Sequence, residues 1–332
     1  MVTGYFVTGG YSKQIGQLKE FLELPLRFPE LYSTLGVSPP NGLLISGPSG
    51  SGKSLLAKTV ASETGCYVVN INAAEIMSKM AGESESNLRK AFKEAQEHAP
   101  AIILIDDIDA IAPRREKGSN SNDIERRLVT QLSTLMDNLN THNNRTSNSD
   151  SVDSEDGDVG KRGGVVVVGT TTRPNAIDVT LRRFGRFEKV VHLGVPDTKG
   201  RGEILQIKSR NMRLDSGIEL DSVSKDTHGY VGADLAQLVN DAGYDAVHNQ
   251  IPIIESVLQS DSTSNNDNSS AYRGLIQLDE NLNEVLAPKF LNTLSVKSSN
   301  FNHALKNTNP TSLRDNIVEV PTVSWNDIGG LE

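Results

Sequence analysis

Short apolar runs alternate with amphipathic segments between residue 41 and residue 196. The runs are NGLLISG, YVVNIN, AIILIDD, GVVVVGTTT and KVVHLGVP, at residues 41–47, 67–72, 101–107, 164–172 and 189–196. A run that is apolar at successive positions is typical of a parallel strand that other elements cover on both faces. The pattern therefore predicts five buried strands.

The segments before and between these runs carry apolar residues at helical spacing. Helices are predicted at residues 13–24, 54–65, 84–99 and 121–139. Strands that alternate with helices form a doubly wound parallel sheet. After Pro196 the pattern is mainly helical as far as about residue 313. The predicted fold class is therefore α/β: a doubly wound, parallel, five-stranded sheet followed by a small C-terminal helical lid subdomain.

Two polar stretches interrupt this order, one at residues 140–164 and one at residues 259–274. Both lack apolar anchors, so we expect mobile, solvated insertions. Phosphorylated or partner-binding segments are the alternative. The predicted division of the chain is a large α/β subdomain over residues 1–196, a helical lid over residues 197–313 and a further segment over residues 314–332.

The composition limits the classes of protein to which the chain can belong. Hydrophobic residues make up 36% of the 332 residues, which permits a core, and the net charge of −9 argues against a mainly electrostatic nucleic-acid binder. The single cysteine, Cys66, excludes an internal disulfide and fits a reducing compartment. No apolar run approaches the ~20 residues that span a bilayer, and the N-terminus lacks a signal-peptide pattern. We therefore expect no nucleic-acid partner and no direct membrane insertion.

The first strand–helix connection carries the pattern of a phosphate-binding loop. GPSGSGKS at residues 47–54 fits G-x-x-x-x-G-K-[ST] at every position. Glycines let backbone N–H groups surround phosphate oxygens, and the helix N-terminus adds a favourable dipole. Lys53 is expected to neutralise the β- and γ-phosphates, and the Ser54 hydroxyl to bind Mg²⁺. The predicted cofactor-binding residues of this segment are Ser49, Gly50, Ser51, Gly52, Lys53, Ser54 and Leu55.

Two aspartates, Asp106 and Asp107, end the third apolar run. Ligands of open α/β sheets bind at the carboxyl ends of strands, so both carboxylates are expected to face the polyphosphate. Asp106 is predicted to support Mg²⁺ together with Ser54, either directly or through a water molecule. Asp107 is predicted to orient and activate the attacking water. A solvated acidic turn is the alternative.

Several segments of the chain resemble one family, the classical AAA+ ATPases, which have the P-loop NTPase fold. The segments, which have the family's order and spacing, are GPSGSGKS, MAGESESNLRKAF, HAPAIILIDDIDAIAPRRE, IERRLVTQLSTLMDNL, RPNAIDVTLRRFGRF and HGYVGADLAQL. More narrowly, the chain is similar to the first ATPase domain of the valosin-containing-protein family over nearly its whole length apart from the two inserts. Residues 314–332 resemble that family's linker and the opening of a second, truncated ATPase domain.

The resemblance implies a ring-shaped motor, usually a homo-hexamer. Such rings use ATP, with Mg²⁺, to unfold or segregate ubiquitinated or translocating proteins. Their protein substrates and adaptor proteins bind mainly to an N-terminal domain that has no counterpart in this chain. Residues 79–82, KMAG, match the first pore loop. Arg183 and Arg186 match the arginine fingers, which reach the γ-phosphate held by a neighbouring subunit.

The resemblance also places the base of ATP or ADP. Adenine is expected between Val7 and Gly9 on one side and Gly232 and Ala233 of the lid on the other. Lys208 occupies the position near the adenine at which valosin-type domains carry a histidine.

Two departures from the family pattern concern the residues that position water. The family's Asp-Glu pair is Asp106-Asp107 here, and its polar sensor asparagine is Thr172. Aspartate is one methylene shorter than glutamate, and a misplacement of ~1 Å can cost on the order of 10²-fold in rate. The sequence therefore predicts an ATPase domain that binds ATP and ADP well and hydrolyses ATP slowly.

Two other interpretations stay open at this point. One is a catalytically weak, nucleotide-binding scaffold for ring assembly, and the other is a ribosome-biogenesis AAA+ ATPase. The resemblance implies a cytoplasmic location. Within the family's range, this includes the surface of the endoplasmic reticulum, and the nucleus is a further site. An endosymbiotic organelle is the alternative if a targeting peptide precedes this sequence, because divergent members of the family serve in protein import.

Overall fold

A computed structural model describes residues 9–73, 82–114, 123–148, 164–249, 251–252 and 295–311. The helices are α1 Ser12–Arg27, α2 Pro29–Leu35, α3 Lys53–Thr64, α4 Glu83–Glu97, α5 Ile108–Ile111, α6 Asp123–Asn148, α7 Thr198–Ser209, α8 Leu220–Asp226, α9 Gly232–His248 and α10 Ser298–Asn307. The strands are β1 Gly42–Ser46, β2 Tyr67–Asn72, β3 Ala101–Asp106, β4 Val165–Thr171 and β5 Phe187–His192. Strands and helices alternate through the large subdomain, as the sequence predicts.

The five strands form one parallel sheet in the order β2-β3-β4-β1-β5. With helices on both of its faces, the sheet has the predicted doubly wound α/β P-loop architecture, and the predicted fold class is confirmed. Parallel pairing brings the carboxyl ends of neighbouring strands to one edge of the sheet. Ser46, Asp106 and Thr171 end β1, β3 and β4 at this edge.

Alternate residues of each central strand pack on opposite faces of the sheet. On one face Leu44, Ile103 and Val167 belong to a core with α4 and α6. On the other face Leu43 and Ile102 belong to a core with α1 and α3. Burial on both faces explains why the strands are continuous apolar runs rather than alternating patterns.

Local sequence signals account for several helix boundaries. Helix α3 ends before Gly65, which has φ 70° and supplies the left-handed residue that commonly follows a helix. Helix α4 carries Glu83 and Glu85 in its first turn, where the helix dipole favours negative charge. Helix α7 begins after Asp197, whose carboxylate accepts from the Gly200 N–H at 2.7 Å.

Helix α6 differs from its prediction. The sequence predicts an end near Leu139 and a mobile insert from Asn140, but the helix continues to Asn148. Asn140 donates to the Gly185 carbonyl at 2.7 Å, and buried Asn143 donates to the Val165 carbonyl at 3.1 Å. These bonds anchor the helix to the starts of β5 and β4. The predicted helix end near Leu139 is therefore wrong, whereas the mobility of the insert stays a prediction.

The lid helices form a core of their own and contact the large subdomain at several points. Leu205, Leu238 and Phe301 are fully buried in the lid core. The Gly10 N–H donates to the Glu203 carboxylate at 2.8 Å. A second contact joins the start of α9 to the phosphate loop, as the next subsection describes.

The second insert and the segment 314–332 lie outside the described residues, and the proposed division of the chain at residue 196 stays a prediction. Of the helices in the described ranges, none combines the length and the apolar character that crossing a membrane requires.

Candidate active site

The loop between β1 and α3 folds over the first residue of α3. Lys53 is only 7% exposed, and its ammonium donates to the Pro48 carbonyl at 2.9 Å. The Ser51 hydroxyl is buried and has no hydrogen-bond partner among the described residues. A buried polar group without a partner costs roughly 1–3 kcal/mol, which a ligand with acceptor oxygens would remove. The loop therefore fits a phosphate group.

The side chains of Ser54 and Asp106 meet at the carboxyl end of β3. Ser54 Oγ donates to Asp106 Oδ1 at 2.5 Å, and Thr170 Oγ1 donates to the same oxygen. Mg²⁺ prefers oxygen ligands, and in nucleotide sites it uses one or two carboxylates plus phosphates rather than an all-protein cage. Accordingly, the described residues contain no cluster of three or more His, Cys, Asp or Glu that could hold a metal. The Ser54–Asp106 pair fits Mg²⁺ and is the candidate metal site.

Asp107 follows β3 in the left-handed backbone region, at φ 51° and ψ 53°. No other non-glycine residue in the described ranges has a positive φ. A sparsely populated conformation costs of order 1–3 kcal/mol and is found preferentially at active sites and ligand clamps. Asp107 lines the same cleft as Lys53. These features favour a functional residue over a solvated acidic turn.

Burial and neighbouring charge act in opposite directions on the lysine of this edge. Burial lowers the pKa of the Lys53 ammonium, and the charges of Asp107, Asp106 and Asp109 oppose this shift. For Asp107, burial raises the pKa of the carboxyl, the negative charges of Asp106 and Asp109 add to the rise, and Lys53 opposes it. Because carboxylates outnumber the ammonium, this edge of the sheet attracts a cation.

A cleft of about 440 Å³ extends from the phosphate loop to the lid. Its lining residues are Gly9, Tyr11, Ser49, Gly50, Ser51, Gly52, Lys53, Ser54, Leu55, Leu56, Asp107 and Thr172 on one side and Ile204, Ile207, Lys208, Gly232, Ala233 and Ala236 on the other. The loop end of the cleft is rich in N–H and hydroxyl donors, whereas the lid end is mainly apolar. This division suits a ligand that has a charged polyphosphate at one end and a flat base at the other.

The lid touches the phosphate loop directly. The Ala233 N–H, at the start of α9, donates to the Gly50 carbonyl at 2.9 Å. A Cβ atom at Gly50 would lie 2.8 Å from Ala233 Cβ and 3.1 Å from Val231 Cγ2, and Gly50 has φ +76°. The loop and the lid can therefore approach this closely only with glycine at position 50.

Gly50→Ala is expected to push the lid off the loop and to weaken ADP binding about 10-fold or more. The reason is that overpacking costs ~1–3 kcal/mol, and about 1.4 kcal/mol is tenfold in affinity. Titration with a fluorescent ADP analogue measures the effect. Gly65→Ala is the matched control, since Gly65 also has a positive φ but a Cβ there meets nothing within 4 Å. Equal ADP affinities for the two variants would contradict the prediction.

Arg183 and Arg186 lie outside the cleft, on the turn before β5, and differ in their contacts. Arg186 Nε and Nη2 donate to the two carboxylate oxygens of Asp137, each at 2.9 Å, and Nη1 donates to the Thr180 carbonyl at 2.6 Å. The hydrogen bond to Asp137 raises the pKa of the Arg186 guanidinium. Arg183 is exposed, and its side chain makes no hydrogen bond or ion pair with the described residues. Only Arg183 is therefore available to a group outside this chain.

The remaining predicted site residues either line the cleft or lie outside the described residues. Gly9, Thr172 and Lys208 line the cleft, together with the phosphate-loop residues and the lid residues predicted beside the adenine. Thr172 is exposed and forms no hydrogen bond within the part of the chain that the structure describes. Val7 and residues 79–81 of the predicted pore loop lie outside the described residues. The catalytic, cofactor-binding and metal-binding roles of all these residues stay predictions.

Sequence reasoning missed three residues of the site. Tyr11 lines the cleft, its hydroxyl donates to the Gly194 carbonyl at 2.9 Å, and burial raises its pKa to about 12. Thr170 contacts the candidate metal site, and Asp137 holds Arg186. Tyr11 could have been found from its position beside Gly9 and Gly10, but no local pattern distinguishes the other two.

A glycine-rich loop at a helix N-terminus, facing carboxylates at the end of a neighbouring parallel strand, defines a P-loop nucleotide-binding site. Comparison with known families agrees with this class. Residues 43–195 match the ATPase family associated with various cellular activities (AAA), and residues 217–261 match the AAA+ lid domain. The two matches together cover more than half of the chain, and the chain belongs to the AAA+ ATPase family.

Membership has general consequences for this chain. AAA ATPases bind ATP or ADP, usually with Mg²⁺, and an AAA+ domain of this kind is a nucleotide-binding ATPase domain. AAA+ domains commonly oligomerise into rings. Both properties fit the cleft and the free arginine described above.

Proposed function

We propose that this domain is a slow, Mg²⁺-dependent ATPase. The observation that carries the proposal is the position of Asp107, whose carboxylate lines the cleft of Lys53 and the phosphate loop from a left-handed turn. The phosphate-binding parts of the family pattern are intact. The two positions that orient water carry shorter side chains, Asp107 and Thr172. We therefore expect binding to be retained and turnover to be reduced.

The proposed roles follow from chemistry and position. The N–H groups of the loop and the Ser51 hydroxyl bind phosphate oxygens, and the Lys53 ammonium neutralises their charge. Ser54 and Asp106 hold Mg²⁺, which, when bound, would neutralise charge that develops on the phosphates. Asp107 orients the attacking water and accepts a hydrogen bond from it.

Asp107→Glu is expected to raise the ATP turnover number by up to about 10²-fold, because the longer side chain brings its carboxylate closer to the attacking water. Steady-state phosphate release measures turnover. Affinity for a non-hydrolysable ATP analogue is expected to change by less than about threefold, since the loop and Lys53 are untouched.

The same series distinguishes an ATPase from a silent scaffold. Asp107→Asn keeps the size of the side chain and removes its charge, so a slow ATPase loses its remaining turnover in a single-turnover assay. A scaffold that never hydrolyses ATP would give no single turnover in either the original protein or the asparagine variant. That result would refute the proposal. A turnover number of the unsubstituted protein as high as that of typical Asp-Glu family members would also refute it.

We further propose that the full protein is a homo-hexameric segregase or unfoldase of the valosin-containing-protein type. Support comes from the free Arg183 at the surface and from the ring assembly that is common among AAA+ domains. Its partners would be protein substrates and adaptor proteins, and a cytoplasmic location follows from the same proposal. Electron microscopy of the protein with ATP analogues tests it, since a protein that forms no ring would contradict the hexamer.

A further inference from the structure

Thr170 places one buried hydroxyl between two acidic residues of the site. The residue is 3% exposed, near the end of β4. Its Oγ1 donates to Asp106 Oδ1, the oxygen that also accepts from Ser54 Oγ at 2.5 Å. The backbone N–H of Asp107 donates to Thr170 Oγ1 at 3.2 Å. The hydroxyl thus contacts the side chain of one aspartate and the backbone of the next.

These two hydrogen bonds fix the direction of the Thr170 proton. A hydroxyl has one donor and two acceptor lone pairs. Because the Asp107 N–H occupies a lone pair, the hydroxyl proton points to Asp106. A donor directed at a carboxylate oxygen limits the rotation of that carboxylate. Asp106 is therefore held in one orientation before any cation binds.

The bond to Asp107 also determines the turn after β3. The pairing of β3 with β4 ends at Ile105 and Gly169, so the Asp107 N–H has no ladder partner on β4. Thr170 Oγ1 accepts from this N–H instead, and thereby ties the left-handed turn to β4. The position at which the Asp107 side chain enters the cleft depends on this tie.

We infer that Thr170 is a positioning residue for the Mg²⁺ site, acting through Asp106 and Asp107. This inference rests on the proposed function, since it assumes that Ser54 and Asp106 bind Mg²⁺ together with a nucleotide. Groups that orient metal ligands typically change metal affinity or activity by about 10–100-fold when they are removed. Thr170 is expected to contribute at the lower end of this range, because Ser54 also donates to Asp106.

Thr171 provides a control that separates a metal-positioning role of Thr170 from a purely structural one. It is fully buried, and its hydroxyl donates to Asp109 Oδ1 at 2.9 Å. Two adjacent threonines thus make the same kind of buried bond to two aspartates. Only the aspartate bonded to Thr170 is also bonded to Ser54. Loss of the Thr171 hydroxyl should therefore affect folding without affecting Mg²⁺.

The experiment measures binding of a fluorescent, non-hydrolysable ATP analogue while the Mg²⁺ concentration is raised. A parallel measurement in EDTA gives the affinity for the analogue without Mg²⁺. We expect Thr170→Val to raise the Mg²⁺ concentration at half-maximal effect about 10-fold, while affinity in EDTA changes less than about threefold. Thr170→Ser restores the hydroxyl and is expected to return the Mg²⁺ midpoint to its original value. Thr171→Val is expected to lower the melting temperature but not to shift the Mg²⁺ midpoint.

Several outcomes would overturn the inference. These are an unchanged Mg²⁺ midpoint in Thr170→Val, an equal shift in Thr171→Val, and an equal loss of affinity with and without EDTA. If the valine variant does not fold, the comparison of Thr170→Ala with Thr170→Ser isolates the hydroxyl and is judged in the same way. An original protein that binds the analogue without any Mg²⁺ effect would overturn the proposed metal site as well, which distinguishes the two failures.

Discussion

Lys53→Met is expected to weaken ATP and ADP binding by about 10²- to 10³-fold. Lys53 is buried at the loop end of the cleft. The negative charges of Asp107, Asp106 and Asp109 act on its ammonium and favour the charged form. Without its ammonium these carboxylates would face the phosphates uncompensated. Removing one partner of a buried charge pair costs about 2–5 kcal/mol, and each 1.4 kcal/mol is tenfold in affinity.

The stability of the nucleotide-free protein is expected to respond differently. Burial lowers the pKa of Lys53, so the protein holds this charge at a cost in the absence of ligand. Methionine keeps the length of the side chain and removes the charge. We therefore expect a melting temperature that is unchanged or slightly raised. The rise in melting temperature that nucleotide is expected to cause in the original protein should be lost in this variant.

Isothermal titration calorimetry with ADP measures the loss of affinity, and thermal unfolding measures stability. Lys58→Met is the matched control, because Lys58 lies on the same helix and is exposed. It should change ADP affinity by less than about threefold. Comparable affinities for the two variants would show that Lys53 does not contact the phosphates.

The central part of the site was predictable because it depends on two strong rules. The apolar runs at residues 41–47 and 101–107 favour buried strands, and parallel strands end at one edge of the sheet. Together with the phosphate-loop motif, which places Ser54 just after the first of these strands, these rules predict that Ser54 and Asp106 meet, although they are far apart in the chain. The structure places their oxygens 2.5 Å apart.

The role of Thr170 could not be read from the sequence, since three threonines occur in a row at residues 170–172. Side chains alternate between the faces of a strand, so a shift of one residue in register exchanges Thr170 and Thr171. Only the pairing of Ile105 with Gly169 decides which hydroxyl meets Asp106. Register between strands that are distant in sequence is not a local property of either one.

The extension of α6 beyond its predicted end near Leu139 could not be predicted for a similar reason. Asn140 and Asn143 lie in a strongly polar segment, and polarity predicts a solvated loop. Both residues instead use their amides to bind backbone groups and Asn41, at the starts of three strands. A buried, satisfied asparagine and a solvated one are identical in sequence, so the distinction required the tertiary structure.

Arg183→Ala is expected to lower ATP turnover in the assembled protein by about 10³-fold. An arginine supplied by a neighbouring subunit is worth about 10³–10⁵ in rate for phosphoryl transfer, and the lower end suits the slow ATPase proposed above. The Arg183 side chain is exposed and has no partner among the described residues, so the melting temperature and the ADP affinity should not change.

Arg186 is expected to act differently, although it matches the same family feature. Its guanidinium is already committed to Asp137 and to the Thr180 carbonyl. Arg186→Ala should therefore destabilise the turn before β5 by up to about 1 kcal/mol, the usual limit for an ion pair with an exposed partner. Asp137→Asn should reproduce much of that loss, whereas it should not reproduce the effect of Arg183→Ala.

A mixing experiment shows whether Arg183 acts on a neighbouring subunit. The Lys53→Met variant keeps Arg183 but has no working nucleotide site. The Arg183→Ala variant keeps its nucleotide site but cannot supply the arginine to a neighbour. If Arg183 acts between subunits, mixing the two inactive variants restores part of the turnover, and the restored rate rises with protein concentration. Arg182→Ala is the control for lost charge. Within the described ranges the Arg182 side chain makes only long contacts, to the Pro174 carbonyl and to Asn175 Oδ1, at 3.3 and 3.4 Å. Absence of any restoration in mixed rings, or a full loss of turnover in Arg182→Ala, would rule out the assignment of this role to Arg183.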